Sequence, residues 1–385
     1  MKICLLGASG SIGQQTIDVI NKSPKDFSLV AFSVGKRTRC ISYILKKHPM
    51  VKHICVQDKA KAKQYQKKYP DIKFHFGDNG LLEIIKESDS EMVVNALVGF
   101  VGLLPSIEAI KSHKKLALAN KESLVVGGDI INSLLKKHNG ELYPIDSEHS
   151  ALWKCLKVDK DDVRRLILTA SGGSFRKLTR EQLKDVTPED ALKHPTWKMG
   201  AKITIDSATM VNKCFEIIEA GYLFNYDYQE IGLTLHDESY LHSYVSLISG
   251  GFRGEISKPD MRNPIKFALY QGNIPFNTSY FKSLDDLKGL HFHAFDMKRY
   301  PVIQFAKEVL ERKGTLGTIL NRSNEEAVRA FLNHQISFLD IEKVISLSMK
   351  NMRYIASPSL EEILKVDQET KAYSHKLIIE LGGAR

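Results

Sequence analysis

Gly7-Ala8-Ser9-Gly10-Ser11-Ile12-Gly13 follows the apolar run Lys2–Leu6 and opens a helix-patterned segment, Ser11–Asn21. Glycines at these places let the backbone turn tightly and approach a pyrophosphate. The first turn of the helix supplies free N–H groups and a partial positive charge. A bare Gly-x-x-Gly-x-x-Gly also fits an ordinary strand–helix turn; its place between the first strand and first helix of an alternating segment points to a dinucleotide. Downstream, Ser28–Val34, His53–Val56, Met92–Ala96 and Leu116–Ala119 read as short strands, and Leu103–Ser112 as an amphipathic helix. The alternation predicts an α/β domain over residues 1–145, a Rossmann-type parallel sheet with helices on both faces and right-handed crossovers.

The end of the second strand discriminates between dinucleotides. A carboxylate there would bind a ribose 2′-hydroxyl. The chain has Val34-Gly35-Lys36-Arg37-Thr38 instead. Lys36 and Arg37 suit a 2′-phosphate, so NADPH is the expected cofactor; a solvated basic turn is the plainer alternative.

Residues 146–270 read as a central α+β domain. They contain a strand (Arg165–Thr169), a Pro- and His-rich loop (188–200), a long helix (Ala208–Phe224) and three segments patterned as antiparallel strands (Gly232–His236, Ser243–Ser249, Phe252–Ser257). Residues 271–298 look like a connector. Residues 299–385 carry four helical patterns, Val302–Arg312, Asn324–Asn333, Ile341–Asn351 and Leu360–Leu381, which suggest a C-terminal helical bundle.

Asp146 and Glu148 stand two apart at the end of a strand-like run, where side chains at i and i+2 point the same way. Adjacent carboxylates repel and want a cation, and oxygen donors select a hard ion, Mg²⁺ or Mn²⁺. Asn212, Glu216 and Glu219 form one stripe of the long helix, with Asp206 or Ser207 as its N-cap, and Glu216 could supply a third carboxylate. A solvated loop and a solvent-facing helix side are the alternatives. Ser171-Gly172-Gly173 resembles an anion loop, and with Ser207, Asn212 and Lys213 it would cradle a phosphate. Trp197, in the loop with His194, has no obvious core to join and fits a lid over substrate; a static satellite core is the alternative. Cys155 and Cys214 lack a setting that would activate a thiol.

The chain has 385 residues, 43% hydrophobic and 26% charged, as expected of a multidomain globular enzyme. No apolar run reaches a membrane span, and Met1–Gly7 runs straight into a strand without a basic region and long apolar stretch, so neither membrane insertion nor a secretory signal is expected. Five scattered cysteines fit a reducing cytoplasm. The net charge of +10 is spread over short runs, which argues against nucleic acid and suits small anionic ligands.

The ordered blocks Gly7–Gly13, Ala119-Asn120-Lys121-Glu122-Ser123, Asp146-Ser147-Glu148-His149, Ser171-Gly172-Gly173, His194-Pro195-Thr196-Trp197, Asp206–Lys213, Pro259-Asp260-Met261-Arg262, Leu320–Glu325 and Ile336–Ile341 resemble the 1-deoxy-D-xylulose 5-phosphate reductoisomerase family. The resemblance implies a homodimeric enzyme of isoprenoid precursor synthesis. It implies rearrangement of 1-deoxy-D-xylulose 5-phosphate, by retro-aldol cleavage and re-addition, followed by hydride transfer from NADPH to give 2-C-methyl-D-erythritol 4-phosphate. Asp146, Glu148 and Glu216 become the metal ligands. Ser147, Glu148, Ser171, His194, Trp197, Ser207, Asn212, Lys213 and Glu216 become substrate contacts, with Lys121 near the substrate and, like His194, in the catalytic group. Ser9, Gly10, Ser11, Ile12, Gly35, Lys36, Arg37, Asn120, Glu122 and Gly200 line the NADPH site. His242 and Met261 border the pocket, and Met199 shares the lid. The chain departs from the family pattern at Ser9, Arg37, Ser174, Thr196, Cys214 and Asp237. Two rival readings are an NADP-dependent semialdehyde dehydrogenase, which needs a thiolate nucleophile, and a non-catalytic NADP sensor, which needs no metal.

Overall fold

The structure is a computed structural model that describes residues 1–193, 197, 199–274, 287 and 289–383. Among these residues no helix is long and apolar enough to cross a membrane. They form two compact units: the described residues of 1–123, 130–150 and 260–276, and those of 124–129, 151–259 and 277–385.

The first unit is built on seven parallel strands: β1 Lys2–Leu6, β2 Ser28–Val34, β3 His53–Val56, β4 Lys73–Phe76, β5 Met92–Asn95, β6 Lys115–Leu118 and β7 Leu142–Pro144. Their spatial order is β4-β3-β2-β1-β5-β6-β7. The order reverses at β1, which pairs with β2 on one side and β5 on the other. Ligands of such sheets bind outside the carboxyl ends of the strands at that reversal. Ile3 to Leu6 are fully buried, as a strand covered on both faces requires. One strand had no usable pattern in the sequence: β4 buries only His75 and carries no readable apolar run. The helix Arg262–Leu269 also belongs here. Arg262 pairs with Asp18 of the helix Ser11–Lys22 at 2.9 Å, and the Tyr270 hydroxyl donates to Asp26 at 2.5 Å.

The second unit has a five-stranded sheet: β8 Val163–Ala170, β9 Ile231–His236, β10 Leu241–Leu247, β11 Phe252–Ile256 and β12 Phe292–Ala294, in the order β11-β10-β8-β9-β12. β10 is antiparallel to both β8 and β11, but β9 is parallel to β8. β9 is antiparallel to β12, so the antiparallel expectation fails only for the β8–β9 pair, where a helical crossover returns the chain to the same end of the sheet. That crossover is not one helix from Ala208 but two, Ala201–Thr209 and Val211–Phe224, which meet at Met210 in the left-handed region (φ 66°). Asp206 and Ser207 therefore sit in the last turns of the first helix and do not cap the second.

Four helices complete the unit: Gln304–Arg312, Leu316–Leu332, Phe338–Asn351 and Leu360–Gly382. Ser337 with Asp340 and Ser359 with Glu362 form capping boxes, which fix the starts of the last two. The second helix starts at Leu316, well before the expected Asn324. Its first turns bury Thr318, Asn321, Arg322 and Ser323, polar residues that hide the apolar period.

Candidate active site

In the glycine loop the three glycines answer to different constraints. Gly7 has φ +84°, and a Cβ there would lie 2.6 Å from the Ala96 carbonyl oxygen. At Gly13 a Cβ would meet the Gly7 carbonyl oxygen at 2.2 Å, so helix and loop touch backbone to backbone. Gly10 caps the helix Ser11–Lys22 and offers no side-chain acceptor to its first amides. The loop is tied to β2: Gly7 N–H donates to Ser33 Oγ at 2.9 Å and Ala8 N–H to the Ser33 carbonyl at 2.8 Å. Beyond β2, Gly35, Lys36 and Arg37 are exposed. The Lys36 carbonyl accepts from Lys61 Nζ at 3.3 Å.

Asn120 caps the helix Lys121–His138, with its Oδ1 accepting from Ser123 N–H at 3.0 Å. Its Nδ2 donates to the carbonyls of Leu97 and Gly99 at 3.1 and 3.0 Å and to Glu122 at 2.8 Å. Almost wholly buried, the Asn120 amide thus holds the loop after β5 to this helix, a positioning role that residue type and spacing do not separate from direct cofactor contact.

One residue further on, Lys121 Nζ donates to Asp146 Oδ2 at 2.5 Å. Asp146 and Glu148 are brought together, but not by strand alternation. The helix Ser147–Asp159 starts immediately after Asp146. Asp146 Oδ1 accepts from the amides of Glu148 and His149 at 3.0 and 3.1 Å. Asp146 acts as the cap and Glu148 stands in the first turn, with ligand oxygens within 4.8 Å of each other. A helix N-terminus favours both negative charges. The Ser147 hydroxyl donates to Glu148.

In the second unit, Ser171-Gly172-Gly173 leaves β8 with both glycines at positive φ, 83° and 68°. A Cβ on Gly173 would lie 2.6 Å from the Ser207 carbonyl oxygen, so the loop rests on the end of the helix Ala201–Thr209. This backbone contact joins two of the segments proposed to hold a phosphate. Ser171 Oγ accepts from Gly173 N–H at 3.3 Å, and the Ser207 hydroxyl donates to the Ile203 carbonyl at 2.8 Å. On the next helix, Asn212 Nδ2 donates to Glu216 Oε1 at 2.6 Å, and Lys213 pairs with the other oxygen of the same carboxylate. Lys213, Glu216 and Glu219 are all buried, so this stripe faces inward and not toward solvent. Asp206, which has no place among the expected contacts, accepts from Lys202 at 2.8 Å and from Asn324 at 2.8 Å. It anchors the crossover helix to the helix Leu316–Leu332; its partner lies 118 positions away, with no local signal to reveal it.

Gly200 caps the helix Ala201–Thr209. The half-buried Trp197 ring lies 6.2 Å from the His242 ring, and His242 Nε2 meets the Ser257 carbonyl at 3.1 Å. Met261 precedes the helix Arg262–Leu269. His194 lies outside the described residues, as do Pro195 and Thr196. Burial pushes the Cys155 thiol up to about 11 and raises that of Cys214 further, so neither is a nucleophile near neutral pH.

The family model for 1-deoxy-D-xylulose 5-phosphate reductoisomerase matches residues 3–128, and two models for its C-terminal domain match 142–224 and 256–373. The 1-deoxy-D-xylulose 5-phosphate reductoisomerase of Halalkalibacterium halodurans is 45% identical over 98% of this chain and 99% of its own. The 1-deoxy-D-xylulose 5-phosphate reductoisomerase 2 of Bacillus anthracis is 44% identical over 96% of this chain and 98% of its own. The solved Zymomonas mobilis reductoisomerase in complex with NADPH superposes with a TM-score of 0.89 at 32% identity, covering 98% of each chain. A reductoisomerase solved with NADPH, fosmidomycin and magnesium gives 0.91 at 32% identity, again over 98% of each. The chain belongs to the 1-deoxy-D-xylulose 5-phosphate reductoisomerase family.

Proposed function

We propose that this chain rearranges and reduces 1-deoxy-D-xylulose 5-phosphate to 2-C-methyl-D-erythritol 4-phosphate, with NADPH and one Mg²⁺ or Mn²⁺ ion. Near-full-length identity to reductoisomerases carries this reading. Bound, NADPH supplies the hydride and the ion supplies Lewis-acid polarisation of substrate oxygens.

Asp146, Glu148 and Glu216 are the proposed ligands of the ion, and their chemistry fits. All three donors are carboxylates. Asp146 and Glu216 also pair with lysines, Lys121 and Lys213, and oxygen donors of this kind suit a hard cation. Ser171, Ser207, Asn212 and Lys213 would hold the substrate phosphate, whose binding energy orients the reacting carbons. Lys121 would lie beside the reacting oxygens, His194 would contact the substrate, and Trp197 and Met199 would belong to a lid that excludes water. Ser9 to Ile12, Gly35 to Arg37, Asn120, Glu122 and Gly200 would surround NADPH. Buried thiols disfavour a semialdehyde dehydrogenase, and three acidic ligands disfavour a mere NADP sensor. Free cysteines throughout suit a cytoplasmic setting, and we assign the functional form to a homodimer that binds neither membrane nor nucleic acid. The test is product identity: NADPH oxidation should require both the sugar phosphate and the ion, and should yield the branched tetrol phosphate.

The same reading fixes cofactor choice. The wild-type protein should prefer NADPH to NADH strongly. Replacing Lys36 and Arg37 by alanine should remove about tenfold to a hundredfold of that preference per lost charge-assisted contact. Equal kcat/KM for the two cofactors in the wild type would overturn the assignment of these side chains. In Gly13→Ala the new methyl meets backbone at 2.2 Å and the loop must shift. NADPH affinity, read by fluorescence titration, should fall at least tenfold with little change in the helical signal; unchanged affinity would show that the loop does not bind the cofactor.

A further inference from the structure

The first unit holds a second group of metal-type side chains. β3 and β4 pair in parallel with His53 opposite Lys73 and Cys55 opposite His75, so His53, Cys55 and His75 share one face of the sheet. The helix Gly77–Glu87 covers that face: a Cβ on Gly80 would lie 2.9 Å from Cys55 Sγ and 3.1 Å from His75 Cβ. Glu83 and Glu87, one turn apart, project onto the imidazoles. His75 Nδ1 donates to Glu83 at 2.8 Å, which leaves its Nε2 for another partner. That Nε2 lies 3.4 Å from His53 Nδ1 and 3.6 Å from Glu87 Oε2, and His53 Nδ1 lies 3.7 Å from the same oxygen. At 3.4 Å the two ring nitrogens are too far apart for a good hydrogen bond. Three donor atoms therefore converge without satisfying one another.

We propose that His53, His75 and Glu87 form a second divalent-cation site, suited to a transition ion of the zinc class and not to magnesium. The three edges of 3.4, 3.6 and 3.7 Å place the centre of the triangle about 2.1 Å from every donor, which matches Zn–N and Zn–O bond lengths. Two nitrogens and one oxygen favour Zn²⁺ over Mg²⁺, which takes oxygen donors in an octahedron. The Glu83 carboxylate fixes the tautomer of His75, as outer carboxylates do for zinc-binding histidines. Lys73 Nζ sits 2.6 Å from Glu87 and would have to swing away; it is more than half exposed and free to do so. Cys55 is not a ligand: its thiol donates to the Gly77 carbonyl, and burial pushes it up to about 12. His53 begins β3 and Glu87 ends its helix. The role of the site is structural. The ion would pin β4, an edge strand with one buried residue, to β3 and the covering helix.

The test uses metal-stripped full-length protein in the Glu216→Gln background, which weakens the other ion site. Bound zinc is measured by equilibrium dialysis and thermal stability is followed with added Zn²⁺ or Mg²⁺. Adding His53→Gln or Glu87→Gln should each remove one equivalent of zinc and abolish the zinc-dependent rise in melting temperature, while Mg²⁺ gives no such rise in any variant. In the otherwise wild-type protein, the same two substitutions should leave Mg²⁺-supported turnover unchanged. Glu87 is partly exposed, so its variant decides the matter if His53→Gln folds poorly. Equal zinc content with and without Glu87→Gln, or no zinc bound by Glu216→Gln, would overturn the proposal.

Discussion

Glu216→Gln is expected to lower kcat by about a thousandfold, the rate equivalent of roughly 4 kcal/mol of transition-state stabilisation. The substitution keeps the volume of a side chain that is only 2% exposed, but its single amide oxygen can accept from Asn212 or from Lys213 and not from both. What it removes is one negative charge from the proposed ion site. Turnover should fall at every ion concentration, and half-activation should need more Mg²⁺. Because Lys213 is itself buried, losing its counter-charge also lowers stability, so the melting temperature must be recorded beside the kinetics. A Glu216→Gln enzyme with wild-type kcat and wild-type Mg²⁺ dependence would exclude Glu216 as a ligand.

The largest stability effect is expected at Arg322→Ala. The Arg322 guanidinium donates through Nε and Nη2 to the two oxygens of Asp367, both at 2.7 Å. Its Nη1 donates to Glu325 at 3.0 Å and Glu326 at 3.3 Å. Asp367 is fully buried between the helices Leu316–Leu332 and Leu360–Gly382, and burial raises its pKa despite the arginine. Removing Arg322 strands the buried Asp367 carboxylate, which costs about 3–5 kcal/mol, while Glu326 keeps Arg329 and His375. For a unit of this size that lowers the melting temperature by roughly 6–20 °C. Arg322→Met with Asp367→Leu should recover much of the loss, because the pair is replaced and not broken. A melting temperature within a degree or two of wild type in Arg322→Ala would show that the network carries no stability.

The sequence showed most where local chemistry repeats. β1, β2 and β3 occupy the expected residues because buried parallel strands are unbroken apolar runs. The helix patterns Ile341–Asn351 and Leu360–Leu381 correspond to Phe338–Asn351 and Leu360–Gly382, the first starting three residues earlier, where Ser337 and Asp340 form its capping box. Legibility failed where tertiary contacts decide. Met210 breaks the crossover helix with a left-handed residue that no glycine marks. β4 exposes most of its length at a sheet edge. The helix Arg262–Leu269 joins the first unit through Arg262 and Asp18, 244 positions apart. In the candidate site the residue types were legible, but the reason Asp146 and Glu148 meet was not. Asp-x-Glu reads equally as alternating strand or as cap and first turn, and the structure has the cap.

Incubation of purified protein with 1-deoxy-D-xylulose 5-phosphate, NADPH and Mg²⁺, with the product identified by nuclear magnetic resonance, tests the proposed activity most directly. One 2-C-methyl-D-erythritol 4-phosphate should form for each NADPH oxidised, with no turnover after chelation and recovery on adding Mg²⁺ or Mn²⁺. Consumption of NADPH without the branched product, or full turnover in excess chelator, would contradict it.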